Sequence, residues 1–188
     1  MFFQTHWLIG ETVAQLTEKQ LPARIHHFAF CLGSVLPDLI HPYNRIPHRI
    51  KDSSPLFNRL LDQAVNTTFK SRWDFSIHLG MICHYLCDFF CLAHNETKLN
   101  NLIAHTIYEA RMVGKADRKM VRNLAMAALK GNETGICDVN KFLLEKHQSY
   151  RNAAEGFEND IAFAVPVVLT VVFSLLHQDL PVHLQRIA

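Results

Sequence analysis

The sequence predicts an all-α protein that folds as one compact, multi-helix single domain spanning residues 1–188. Apolar residues recur at helical spacing along almost the whole chain. Alternating strand-like runs that end in Asn-Gly or Asp-Gly turns do not occur. A chain of 188 residues, 49% of them hydrophobic, can bury one sizeable core, and no linker or repeat divides it.

Capping residues and prolines place the first helices. The first helix is expected over 5–20, with Thr5 as its N-cap, and the second over about 24–36, where Pro37 stops it. Four prolines in 37–55 exclude a continuous helix and predict a long, stiff loop of the kind that often has a function.

The remaining helices follow from the same signals. Ser54 and Pro55 are expected to begin a helix that ends at about Phe69. Further helices are expected over about 71–92, 99–113, 115–130, 138–150 and from about 153 onward, with a bend at Pro166.

Charge and cysteine usage limit the class of protein. The formal net charge is +2 and the 19 basic residues are scattered, so no strong nucleic-acid patch is expected. The first residues lack the basic and long apolar regions of a signal peptide, which predicts a cytoplasmic protein. An odd number of cysteines, three of them one helical turn apart, predicts reduced thiols. The five cysteines are Cys31, Cys83, Cys87, Cys91 and Cys137.

The stretch 161–176 is the one segment apolar enough to suggest a membrane. Its sixteen residues contain Pro166 and fall short of the roughly 20 needed to span a bilayer as a helix. We therefore expect a buried core helix, with a membrane anchor as the alternative.

Residues 84–94 read HYLCDFFCLAH and place three polar side chains in an apolar segment. His84 and Asp88 are four residues apart, as are His105 and Glu109 further along, so each pair lies on one face of a helix. Imidazole and carboxylate groups are zinc ligands, and a buried carboxylate is costly unless it is paired or metal-bound. Hydrogen-bonded core histidines and a solvated surface pair are the alternative interpretation.

The order of these residues resembles a known family. The stretch THWLIGETVAQL, a Pro-Asp loop followed by histidines, and then HYLCD, AH and HTIYE are similar to the zinc-dependent phospholipase C family of bacteria, which is related in fold to the S1/P1-type nucleases. The resemblance covers about residues 1–110. The family features fall on His6, Asp38, His48, His84, Asp88, His94, His105 and Glu109.

The resemblance implies a multinuclear site with two, and on the family pattern three, Zn²⁺ ions per chain. One zinc would be bound by His48, His84 and Asp88. A second would be bound by His94, His105 and Glu109. The third would use Asp88, His6 and the main chain of an N-terminal tryptophan.

The chain departs from the family at three points. It begins five residues before His6 and offers Met1 where the family has tryptophan, so the third zinc is absent, uses the Met1 amine or is completed by water. The loop after Asp38 is short, so His41 is an alternative to His48. Cys87 and Cys91 lie close to His84 on the helical wheel and are either zinc ligands of a structural site or small packing residues.

The function implied by the resemblance is zinc-dependent hydrolysis of a phosphodiester, with Asp38 orienting or deprotonating the attacking water. A phospholipid, a nucleotide or a small diester would fit as substrate, and transient contact with a membrane surface is compatible with the first. The alternatives are a noncatalytic, metal-stabilised helical protein and an S1/P1-like nuclease.

Overall fold

The computed structural model describes residues 1–22, 24–95, 101–130, 136 and 138–177. This part of the chain contains α-helices and one short 3₁₀ helix but no strand, which confirms the all-α prediction. The helices are α1 Phe3–Gln20, α2 His27–Gly33, α3 Leu36–Leu39, α4 Ile50–Asn66, α5 Arg72–Phe89, α6 Leu92–Asn95, α7 Leu102–Lys115, α8 Arg118–Lys130, α9 Val139–Arg151 and α10 Phe157–His177, and the 3₁₀ helix is Tyr43–Arg45.

The predicted helix over 24–36 is wrong, because α2 ends at Gly33 and α3 begins separately. The Ser34 hydroxyl donates a hydrogen bond to the Cys31 carbonyl at 2.7 Å, which helps to end α2. Pro37 lies in the first turn of α3, where the missing N–H of a proline costs no helical hydrogen bond.

The proline-rich segment is less extended than predicted. It contains α3 and the 3₁₀ helix, and α4 already begins at Ile50, so Ser54 is not an N-cap. The hydroxyls of Ser53 and Ser54 instead donate to the carbonyls of Arg49 and Ile50 within the helix. Pro55 lies inside α4 near its N-terminal end.

The central helix is α5, which is buried along most of its length. It approaches α2 unusually closely, because a Cβ atom added at Gly33 or Gly80 would overlap the backbone of the opposite helix. The start of α5 agrees with the prediction, with Ser71 as its N-cap, but the helix ends at Phe89 and not at Leu92. The turn at Phe90 and the short α6 that follows redirect the chain beside the end of α5.

The apolar helix α10 begins at Phe157, later than the predicted start near residue 153, and continues through Pro166 to His177. By length and composition it could cross a membrane, yet 78% of its most apolar window is buried inside the described structure. That burial favours the predicted core helix. Four cysteines in the described part are free and buried, and Cys137 lies outside the described residues.

Asp160 ties α10 to the segments beside it. Its fully buried carboxylate accepts hydrogen bonds from the Leu92 N–H at 3.0 Å, the Tyr108 hydroxyl at 2.9 Å and the Tyr150 hydroxyl at 2.7 Å. Burial raises the pKa of Asp160, against the hydrogen bonds that lower it. These bonds join α10 to the start of α6, to α7 and to α9.

We predict that Asp160→Ala lowers the free energy of unfolding by about 2–4 kcal/mol, because it leaves three buried donors without their acceptor. Urea denaturation of the purified variant measures this change. The matched control is Asp138→Ala, which removes the exposed N-cap of α9 and should cost only about 1 kcal/mol. Equal losses in the two variants would contradict a bracing role for Asp160.

Candidate metal centre

Asp88, near the end of α5, is the centre of the candidate site and is fully buried. Nitrogen atoms from four separate parts of the chain surround its carboxylate. Oδ1 lies near Met1 N at 2.5 Å, His6 Nε2 at 3.2 Å and His94 Nε2 at 3.2 Å, and Oδ2 lies near His48 Nδ1 at 2.9 Å and His84 Nε2 at 3.2 Å.

The close packing of α2 on α5 orients His84. The Ser34 carbonyl, just after α2, lies 3.0 Å from His84 Nδ1, so the ring donates there and directs Nε2 towards Asp88. His48 is oriented in the same way, because its Nε2 faces the Tyr43 carbonyl at 3.4 Å and its Nδ1 faces Asp88. Main-chain carbonyls behind the rings are the arrangement typical of metal-binding histidines.

The first set of donors, which we call the loop group, consists of Asp38, His48, His84 and Asp88. Its donor atoms lie within 4.8 Å of one another. The facing nitrogens of His48 and His84 are 3.0 Å apart. Asp38 Oδ1 is more distant, at 3.5 Å from His48 Nδ1 and 3.6 Å from His84 Nε2, and the Asp38 side chain is 34% exposed.

The second set, which we call the turn group, consists of Cys91, His94 and Glu109. The Glu109 carboxylate lies 3.3 Å from His94 Nε2 and 3.0 Å from His105 Nε2. His105 is therefore at the edge of the site, with its side chain 26% exposed. The resemblance alone does not assign Cys91 as a ligand. Its position midway between Asp88 and His94 in the sequence is the feature that could have indicated its place in the site.

The two buried carboxylates are ionised in these surroundings. Burial alone would raise the pKa of Asp88, but the nearby His94 and the Met1 ammonium outweigh it and hold that pKa well below its usual range. Burial also opposes ionisation of Glu109, yet hydrogen bonds from His105 and His94 lower its pKa strongly. The same carboxylates overcome the effect of burial on the Met1 amine and raise its pKa.

Two observations show that the site suits a cation. The Met1 ammonium lies 2.5 Å from Asp88, 2.9 Å from Glu109 and 3.0 Å from His94, so a positive charge already occupies the space between these donors. Both ring nitrogens of His6 are buried without an aligned hydrogen bond, and a metal bound between Nε2 and Asp88 would supply one of them with a partner. Imidazole, carboxylate and thiol donors together fit zinc.

The structure also separates the remaining histidine candidates. His48 is 7% exposed and contacts Asp88, whereas the alternative loop residue His41 is exposed to solvent. His78 lies elsewhere on α5, with its Nε2 2.7 Å from the Leu60 carbonyl. His6 stacks on His84 with ring centroids 4.0 Å apart and so belongs to the cluster.

An open cleft of about 280 Å³ gives solvent access to both donor groups. It is lined by Asp38 and His48 of the loop group, together with His94 and His105. Asn44 and Arg49 contribute polar and positively charged groups to the same cleft. A small anionic substrate entering here would meet the histidines and carboxylates directly.

Comparison with known proteins gives one result for the chain. A protein-family model described as zinc dependent phospholipase C matches residues 5–157, which is well over half of the sequence and includes every predicted site residue. The match extends beyond the 1–110 range of the resemblance seen in the sequence. No curated protein and no solved structure matches.

We predict that the purified protein binds at least two transition-metal ions per chain and that Asp88→Asn lowers the affinity by roughly a hundredfold or more. The physical reason is that Asp88 faces both donor groups. Elemental analysis after dialysis measures the metal content. Asp74→Asn, an exposed change on the same helix, is the control and should retain the wild-type content. Less than one ion per wild-type chain would contradict the prediction.

A second prediction concerns the Met1 amine. We expect residues added before Met1 to lower metal content, because they convert a buried amine beside Asp88 and Glu109 into an amide that lacks a free lone pair. Removing the added residues with a protease that leaves Met1 first should restore the content. The same tag at the other end of the chain is the control. Unchanged metal content with the extension in place would show that the Met1 amine is not a ligand.

Proposed function

The chain belongs to the zinc-dependent phospholipase C family, a family of hydrolases, and we propose that it is a zinc-dependent phosphodiesterase whose active site is the Asp88 cluster. One observation supports this proposal above the others. The buried, ionised Asp88 carboxylate of the loop group also lies 3.2 Å from His94 of the turn group, and both groups border the same open cleft. A site that served structure alone would need no opening to solvent.

The donor residues can be assigned to the zinc ions that the family implies. His48, His84 and Asp88 would hold one zinc, and His94 with Glu109 would hold another, with His105 beside it. His6 and the second face of Asp88 would hold a third. When bound in such sites, zinc lowers the pKa of water to about 7 and neutralises charge on phosphate oxygens.

Asp38 is proposed as the residue that accepts a proton from the attacking water. It lines the cleft, its side chain is one-third exposed, and its carboxylate is further from His48 and His84 than Asp88 is. A base needs access to the reacting water and must keep a free lone pair, and this position supplies both. His48 and His84, oriented by main-chain carbonyls, lie 3.5 and 3.6 Å from Asp38.

The substrate is proposed to be a phosphodiester that presents its phosphate to the inner end of the cleft. Arg49 adds positive charge to the cleft wall and Asn44 adds an amide, and both can orient phosphate oxygens. Leu39 and Ile40 follow Asp38 with 63% and 37% of their surfaces exposed, so an apolar substituent has surface to contact. A phospholipid fits these features better than a nucleotide. The cytoplasmic location stays a prediction.

We predict that Asp38→Asn reduces kcat for diester hydrolysis by about a hundredfold or more while metal content and thermal stability stay near wild type. The amide keeps the size of the carboxylate but cannot accept the proton. Release of nitrophenolate from bis(p-nitrophenyl) phosphate measures the rate, and phosphatidylcholine vesicles and a single-stranded oligonucleotide compare lipid with nucleotide substrates.

The control for this variant is Asp62→Asn on the exposed surface of α4, which should leave rate and metal content unchanged. If Asp38→Asn and Asp88→Asn lose metal equally, Asp38 is a ligand and the proposed base is wrong. Metal-loaded wild-type protein that hydrolyses none of the three substrates would favour the noncatalytic alternative. Preference for the oligonucleotide would favour the S1/P1-like nuclease.

A further inference from the structure

Three cysteines follow one another at four-residue spacing, and the third has surroundings different from the other two. Cys83 and Cys87 lie within α5, but Cys91 lies after the helix has ended at Phe89. The non-helical backbone of Phe90, with φ −110° and ψ 33°, takes Cys91 out of the helical stripe. Cys91 therefore lies on the turn that carries His94, although its side chain is also buried in the core.

The backbone of this turn is firmly held. The Cys91 N–H donates to the Asp88 carbonyl at 3.1 Å, and the His94 N–H donates to the Cys91 carbonyl at 3.0 Å. The Asn95 side chain donates to the same Cys91 carbonyl at 2.8 Å. The next residue, Leu92, is anchored to Asp160. These bonds fix the main chain that carries the Cys91 thiol, and a preorganised backbone favours a metal site.

The Cys91 sulfur lies with donors that already face a positive charge. Its Sγ and the donor atoms of His94 and Glu109 are within 4.8 Å of one another, and the cysteine is fully buried. The Met1 ammonium contacts both His94 and Glu109 in the same place. The adjacent and fully buried His6 places Nε2 3.2 Å from the Asp88 oxygen that His94 also contacts.

We propose that Cys91, as a thiolate, is a ligand of the metal held by His94 and Glu109. On binding, the S–H bond breaks, its proton passes to solvent, and a sulfur–metal bond forms, so the oxidation states do not change. This inference rests on the metal centre of the proposed function but does not depend on hydrolysis. It makes the turn group a mixed nitrogen, oxygen and sulfur site, with the more exposed His105 contacting Glu109 at the edge of the cleft.

A thiolate ligand has a chemical consequence. Sulfur is a softer donor than nitrogen or oxygen, and it favours zinc over harder ions such as magnesium or manganese. The turn group should therefore retain zinc selectively, whereas the loop group, with imidazole and carboxylate donors alone, should be less selective. The turn group and the loop group would then differ in how selectively each retains zinc over harder ions.

The test is cobalt substitution, in which the metal-free full chain is loaded with Co²⁺ and examined by absorption spectroscopy. A thiolate bound to cobalt gives a near-ultraviolet charge-transfer band that nitrogen and oxygen ligands do not give. We expect the band in the wild type and in the matched controls Cys83→Ser and Cys87→Ser. We expect Cys91→Ser to lose it while keeping the visible cobalt bands and the far-ultraviolet dichroism of a folded helical protein.

The inference is overturned if cobalt binds to the wild type without the charge-transfer band, or if the band survives in Cys91→Ser. Loss of the band in Cys87→Ser alone would overturn it too. If Cys91→Ser does not fold, X-ray absorption of the wild-type protein tests for a sulfur ligand directly. X-ray absorption of the zinc-loaded wild type should show a sulfur shell at about 2.3 Å, against about 2.0–2.1 Å for nitrogen and oxygen.

These outcomes are separable from failure of the proposed function. Protein that binds no metal contradicts both this inference and the phosphodiesterase. Protein that binds metal through sulfur but hydrolyses no diester supports the Cys91 ligand and contradicts the phosphodiesterase. Protein that hydrolyses diesters without a sulfur shell contradicts the Cys91 ligand alone.

Discussion

The structure depends on one electrostatic constraint, which is the burial of the Asp88 carboxylate at the end of the central helix. An ionised carboxylate removed from water is strongly destabilising unless positive charge or hydrogen-bond donors replace its hydration. The fold supplies them from the chain terminus, from α1, from the proline-rich segment and from the turn after α5. The N-terminal segment with α1 and the proline-rich segment, both distant from Asp88 in the sequence, thus meet at one buried charge beside the turn that follows it.

Helix packing makes this convergence possible. Gly33 and Gly80 let α2 and α5 approach until the Ser34 carbonyl reaches the back of the His84 ring. On the opposite side, Asp160 fixes the start of α6, and through it the turn between Asp88 and His94. One set of contacts orients the loop group and the other orients the turn group. The donors are held before any ion binds, so little ordering energy is needed when one does.

Exposure divides the cluster into an inner and an outer part. His6, His84 and Asp88 are fully buried and suit firm coordination, whereas Asp38 and His105 are partly exposed and border the cleft. A hydrolytic site needs both parts, because metal retention requires preorganised ligands and catalysis requires a path for substrate and water. The family match and the open cleft agree with this division.

The sequence by itself determined the helical class, the approximate positions of most long helices and the family. Helical spacing of apolar residues and the pairs His84/Asp88 and His105/Glu109 are local patterns, so they can be read without knowing the fold. The predicted helix boundaries near Pro37 and Pro55 were wrong. The true boundaries depend on serine hydroxyls that donate to main-chain carbonyls, and the sequence does not show which carbonyl each hydroxyl will bond to.

Only the tertiary structure decided which distant groups meet. Choosing His48 over His41 required knowing which face of the loop turns towards Asp88. The packing of α1 decides that the Met1 amine lies beside Asp88 and Glu109. The end of α5 at Phe89 decides that Cys91 is grouped with His94. Each of these contacts is set by the way helices pack, and local spacing does not contain that information.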